Sequence, residues 1–119
     1  MKDISTEHRA MTRRLRKLPQ DIYNSLNGTK VNYMHMAMGL AGESGEVVDL
    51  IKKHVINGHE LDRDKLLEEC GDALFYMVEI LATAGFTIED ALAHSLTKLS
   101  ARYPQGYSDE ASIKRADVA

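Results

Sequence analysis

Two acidic pairs, Glu43-Ser44-Gly45-Glu46 and Glu69-Cys70-Gly71-Asp72, constrain this chain more than any other feature. Each lies inside an otherwise apolar run with helical periodicity, where carboxylates are rare unless something neutralises them. Residues three apart share a helix face, so each pair aims two carboxylates in one direction. Two bare carboxylates about 4 Å apart repel by roughly 4 kcal/mol at an effective dielectric of 20. About 22 residues separate the pairs, enough for the end of one helix, a turn and the start of the next. An antiparallel hairpin of these helices brings the pairs face to face, as helix bundles do when they build carboxylate metal sites. Four charges held that way need a proton or a cation.

The remaining pattern is helical as well. Residues 1–18 carry Met11, Leu15 and Leu18 about one turn apart, with Arg9, Arg13, Arg14, Arg16 and Lys17 on the polar side. Pro19 interrupts this segment and Asn27-Gly28 marks a turn. Thr29 is the expected cap of the next helix, which runs through Met34, Met38, Val47, Leu50 and Ile51 to about His54. Gly39, Gly42 and Gly45 recur along it, each costing about 1 kcal/mol against Ala. Such a stripe serves a close helix approach or backbone access for a ligand, and a break near Gly39–Gly42 is a further option. Asp62 caps a third helix reaching about Ala84, with Leu66, Leu67, Cys70, Leu74, Met77, Val78 and Leu81 as its expected core stripe. A second, more polar stripe reads Lys65, Glu69, Asp72, Tyr76 and Glu79. Gly85 stops this helix and Thr87 starts a fourth, whose apolar face is Ile88, Ala91, Leu92, Ser95, Leu96 and Leu99. Pro104 ends it, and a polar tail follows.

Strand-like alternation is absent, so the expectation is an all-α chain of four to five helices that forms an oligomeric helical bundle. With 119 residues, one domain is expected: an N-terminal helical segment 1–28, core helices 29–103 and a tail 104–119. A net charge of −3 offers no global attraction to a nucleic acid polymer, and the basic N-terminal run lacks interleaved aromatics. That run reads as a solvated helix or a subunit contact. A wholly apolar run of membrane length is missing, and the N-terminus lacks an apolar export signal, so no membrane partner is expected. The single Cys excludes an intrachain disulfide and a Cys-based zinc site. The expected setting is the reducing cytoplasm.

An all-oxygen cluster suits a hard cation, Mg2+ or Mn2+, and Mg2+ usually comes with phosphates. A di-iron centre normally uses Glu-x-x-His, and none of the five His has Glu three positions before it. Metal ions of this kind bridge phosphate oxygens and activate water, and a carboxylate not fully engaged by metal can accept the proton. One Glu-x-x-Glu alone is ordinarily a solvated helix face; two on facing helices among Leu, Met and Gly are not.

The stretches MGLAGESGEVVDLIKK, EECGDALFYMVEIL and TKLSARYPQGYS, spanning residues 33–108 with their neighbours, resemble the MazG-like all-α nucleoside triphosphate pyrophosphohydrolases. That resemblance implies Mg2+-dependent cleavage between the α- and β-phosphates, giving a nucleoside monophosphate and pyrophosphate. It implies Glu43, Glu46, Glu69 and Asp72 as metal ligands and catalytic carboxylates. It further implies Lys53, Lys98, Arg102 and Tyr103 as phosphate or substrate contacts. Many relatives have Asn where this chain has Ser95, which keeps a hydrogen-bonding oxygen but loses the amide and its reach. Four helices with a glycine stripe would struggle to enclose a nucleotide alone, so a homodimer or homotetramer with sites near subunit interfaces is expected.

Other residues have plainer readings. Lys98 and Arg102 also suit ordinary snorkelling at a helix C-terminus. His35 and His54 read as packed or surface side chains. Met34, Met36 and Met38 alternate and cannot all face one way, so core filling is their expected role. Cys70 reads as a small buried hydrophobe, and Glu79 as an orienter of a basic residue or a solvated charge. Two alternatives to an enzyme remain at this level. One is a helical module that binds nucleotide or a partner without turnover. The other is a structural oligomer whose acidic pairs salt-bridge to Lys98 and Arg102 of a neighbour.

Overall fold

The computed structural model describes residue 1 and residues 3–118. Its described residues form six helices and no strand beyond one isolated bridge between Pro104 and Gly106. They are α1 (Ile4–Leu15), α2 (Pro19–Ser25), α3 (Gly28–Val55), α4 (Arg63–Thr83), α5 (Ile88–Arg102) and α6 (Asp109–Lys114). The all-α expectation holds; the two helices beyond it are short, α2 beginning at Pro19 and α6 lying in the polar tail. Contacts divide the chain into Met1–Val31 and Asn32–Ala119.

In the first unit, the Asp3 side chain caps α1 by accepting from the Thr6 N–H, and Pro19 occupies the first turn of α2. Proline is tolerated there because its missing N–H would find no partner in any case. The start of α3 differs from expectation. Asn27, not Thr29, is the cap: its side chain accepts from the Lys30 N–H at 2.9 Å and its carbonyl from the Val31 N–H at 2.9 Å. Asn is among the strongest capping residues and comes first in the chain, so Gly28 and Thr29 enter the helix.

The second unit is built on an antiparallel α3–α4 hairpin. Asn32 Nδ2 donates to Glu79 Oε1 at 3.2 Å and to Thr83 Oγ1 at 2.9 Å. Gly39 lies against the Tyr76 ring, and Glu43 and Glu69 bring carboxylate oxygens within 4.8 Å of each other. As the α3 number rises its α4 partner falls, which is the signature of antiparallel pairing. Asp62 caps α4 through the Lys65 N–H at 3.0 Å, as expected. Gly85, with φ +85°, takes the left-handed conformation that ends it. Thr87 and Asp90 form a reciprocal capping box at the start of α5.

α3 runs unbroken through its glycines, and they divide into two kinds. A Cβ on Gly39 would collide with the Tyr76 ring, so this glycine permits a close helix approach. A Cβ on Gly42 or Gly45 would meet nothing within 4 Å.

The packing face of α4 corrects the sequence expectation. Glu69 and Ala73 are buried, at 6% and 7% exposure, whereas Leu67 is 75% and Phe75 64% exposed. Within one chain, α4 therefore turns its Glu69–Ala73–Tyr76 side to α3 and leaves most of the expected apolar stripe open. The reason is steric and electrostatic together: Gly39 admits Tyr76, and Glu43 meets Glu69. On α3 the buried methionine is Met36, while Met34 and Met38 are exposed, as their alternation requires. α5 leaves α4 at 93°, with Leu92, Leu96 and Leu99 all exposed. No single described helix is long and apolar enough to cross a membrane.

Candidate active site

The hairpin brings Glu43 of α3 together with Glu69 and Asp72 of α4, one carboxylate oxygen from each lying within 4.8 Å of the others. Glu69 is buried, Glu43 half-buried and Asp72 exposed, so the cluster opens from the helix interface toward solvent. The crowded charge acts on the members of the cluster themselves. The Glu43 carboxyl is pushed above the ordinary range, first by the hydrogen bond it shares with Glu69, then by burial and by the charges of Asp72, Glu69 and Glu46. Glu69 is held below it, first by its hydrogen bond with Lys65 and then by that with Glu43. The two shifts run in opposite directions because Glu43 is crowded by carboxylates while Glu69 also faces the Lys65 ammonium.

The donor set fits a hard divalent cation. Glu43, Glu69 and Asp72 would hold it, with one carboxylate oxygen each already within 4.8 Å of the others. Glu46 lies one turn further along α3. It is exposed and close enough to raise the Glu43 pKa, but its carboxylate is outside the tight group. Gly42, Gly45 and Gly71, which flank these carboxylates, all face open space.

The expected substrate contacts do not converge on one cavity. Lys53 pairs with Asp49 at 2.9 Å along α3. Ser95 and Tyr103 line an open groove of about 700 Å3 with Leu92, Leu96, Leu99 and Tyr107, whereas Lys98 lines a different concavity beside His94 and Asp117. Arg102 is held by the tail: its Nε donates to Asp117 Oδ1 at 2.6 Å and an Nη to Oδ2 at 2.9 Å. The Tyr103 and Tyr107 rings lie 5.5 Å apart beside it.

Asp117 was not evident from the sequence, because nothing in a polar tail marks one acid as the partner of a distant Arg. Its carboxyl is held below the ordinary range chiefly by Arg102. A lowered acid pKa stabilises the fold above the unfolded value and loses that contribution as pH falls through the folded one. The α6 amides should therefore exchange faster with solvent, after correction for intrinsic rates, once pH drops below about 4. Asp117→Asn should show that faster exchange already at pH 7 and little further change on acidification.

Lys65, Asn32 and Tyr76 also escaped notice as site-forming residues. Lys65 Nζ reaches Glu69 Oε1 at 3.1 Å and Glu68 Oε2 at 3.5 Å. Glu79 accepts from the Asn32 amide and, among the described residues, pairs with no basic side chain. Cys70 is half-buried beside the cluster, and His54 Nδ1 lies 2.8 Å from the His59 carbonyl.

An all-α hairpin that gathers carboxylates from two facing helices is an arrangement with which helical proteins hold divalent metal ions. The family model of the MazG nucleotide pyrophosphohydrolase domain matches residues 32–107, nearly two thirds of the chain. The chain belongs to that family, whose members act on nucleoside triphosphates and generally depend on a divalent metal. No curated protein and no solved structure gives a match to the chain.

Proposed function

We propose that this protein hydrolyses a nucleoside triphosphate to the monophosphate and pyrophosphate, using Mg2+ or Mn2+ held by Glu43, Glu69 and Asp72, with Glu46 as a catalytic carboxylate beside them. In the reaction a water oxygen bonds to the α-phosphorus and the bond to the bridging oxygen of the β-phosphate breaks, releasing pyrophosphate. The observation that carries this reading is the convergence of three carboxylates from two helices within 4.8 Å, inside the segment that defines the family. The cation supplies positive charge to the phosphate oxygens and lowers the pKa of water. Glu43, Glu69 and Asp72 hold it, their arrangement set by the Gly39–Tyr76 approach. Glu46, exposed and outside the tight group, is the carboxylate we assign to accept the proton of the attacking water.

Lys53, with Ser95, Lys98 and Arg102 of α5 and Tyr103 just beyond it, is the proposed source of phosphate contacts, Lys53 and Arg102 exchanging their Asp49 and Asp117 partners for phosphate oxygens. α5 stands at 93° to α4, and Leu92, Leu96 and Leu99 of α5 and Leu67, Leu74, Phe75, Met77 and Val78 of α4 are exposed. These features support a homodimer or homotetramer in which a second copy covers the open faces and completes the nucleotide pocket. Sedimentation equilibrium should find no monomer at micromolar concentration.

The direct test is pyrophosphate release across ribo- and deoxyribonucleoside triphosphates, with Mg2+, with Mn2+ and with EDTA. Release from at least one nucleotide, abolished by EDTA and restored by the cation, is expected. Metal-dependent nucleotide binding by calorimetry without turnover of any of them would replace this reading with that of a binding module.

A further inference from the structure

Lys65 is placed where local helix energetics do not favour it. It lies in the first turn of α4, its backbone N–H capped by Asp62, and the positive end of the helix dipole repels a cation there. Its order with Glu69, Lys first and Glu four residues later, is the weaker of the two possible orders. Yet its ammonium sits 3.1 Å from Glu69 Oε1, and Glu69 is the most buried acid of the carboxylate cluster. Among the described residues it is the basic side chain that ion-pairs with a cluster carboxylate; Lys53 and Arg102 are engaged elsewhere. The Lys65 side chain is itself about half exposed, 47%, and its flexible stem leaves it free to swing away.

We propose that Lys65 is a built-in counter-ion of the carboxylate cluster: its ammonium occupies the Glu69 oxygen in the metal-free protein and withdraws when a divalent cation binds. Lys65 therefore sets the cation concentration at which the site fills. This rests on the metal-binding reading above. The competition is electrostatic. A divalent ion and an ammonium seeking the same oxygen repel, so metal binding includes the cost of breaking the Lys65–Glu69 pair. Lysine serves this role because it is a mobile point charge on an exposed stem.

Calorimetric titration of the metal-free full-length chain with MgCl2 at pH 8 tests the proposal. Lys65→Met should bind Mg2+ on the order of tenfold more tightly than wild type, from the size of ion–ion terms at these distances. Lys65→Arg, which keeps the charge, should stay near wild type. Unchanged or weaker binding by Lys65→Met overturns the counter-ion role. Absence of Mg2+ binding by the wild type overturns the metal reading itself, and the counter-ion role with it. A second measurement needs no folding of the Met variant. Reductive 13C-methylation of wild-type lysines gives a Lys65 resonance, assigned by its loss in Lys65→Arg. That resonance should move toward those of solvated lysines on saturation with Mg2+; one that stays in place overturns the proposal.

Discussion

Replacing Glu69 with Gln will lower pyrophosphate release by at least about a hundredfold while leaving the helical content of the protein unchanged. Glu69 is the cluster member most withdrawn from solvent, and Gln keeps its shape. What is lost is the negative charge at the point where three carboxylates converge. Outer-shell partners of metal ligands already cost 10–100-fold when mutated, so a direct ligand should cost no less. Calorimetry should show Mg2+ affinity falling in parallel. Circular dichroism should show an unaltered helical signal, because no backbone group of α4 depends on the carboxylate. Turnover within threefold of wild type would remove Glu69 from the metal site.

The second large effect separates the glycines of α3. Gly39→Ala should destabilise the protein by about 1–3 kcal/mol, because the added methyl enters the space of the Tyr76 ring and overpacking costs about that much. Gly42→Ala meets nothing within 4 Å in one chain. On helix propensity alone it should stabilise by up to about 1 kcal/mol. Denaturant unfolding of both variants gives the comparison. If Gly42→Ala unfolds more easily than wild type, a second copy or a ligand covers that position. Loss of activity at unchanged stability points to the nucleotide instead. Equal stability for Gly39→Ala and wild type would mean that Tyr76 can move aside and that the hairpin register is not held there.

Much of this architecture was legible beforehand because the relevant physics is local. Asp62, Gly85 and Thr87 each act on the chain within four residues, so the boundaries of α4 and the start of α5 could be read from them. The hairpin was legible because acidic pairs with helical spacing and a short intervening turn leave few arrangements that place the charges together. At the start of α3 the failure was one of priority, since Asn27 and Thr29 are both capping residues and the first to offer an oxygen prevailed.

The core stripe of α4 shows a different limit. Leu67, Leu74, Met77 and Val78 have the spacing of a buried face, and periodicity cannot say whether the partner for that face lies in the same chain. In this chain the partner of α4 is α3, admitted at Gly39, and it covers Glu69 and Ala73 instead. The tail illustrates the same point with charge. Arg102 carries the motif position of a phosphate contact, yet its guanidinium is bound by Asp117, fifteen residues on.

The amino-acid sequence by itself determined the helical class, the helix caps and the choice of carboxylates, because propensity, capping and charge spacing operate over a few residues. Only the tertiary structure decided that three of the four acids converge while Glu46 stands outside. It also decided that Lys65 answers their charge, and that the apolar faces of α4 and α5 are left open. Those outcomes depend on which helix faces meet and at what register, and that is settled by a steric opening at Gly39 and the meeting of Glu43 with Glu69, acting between segments distant in the chain.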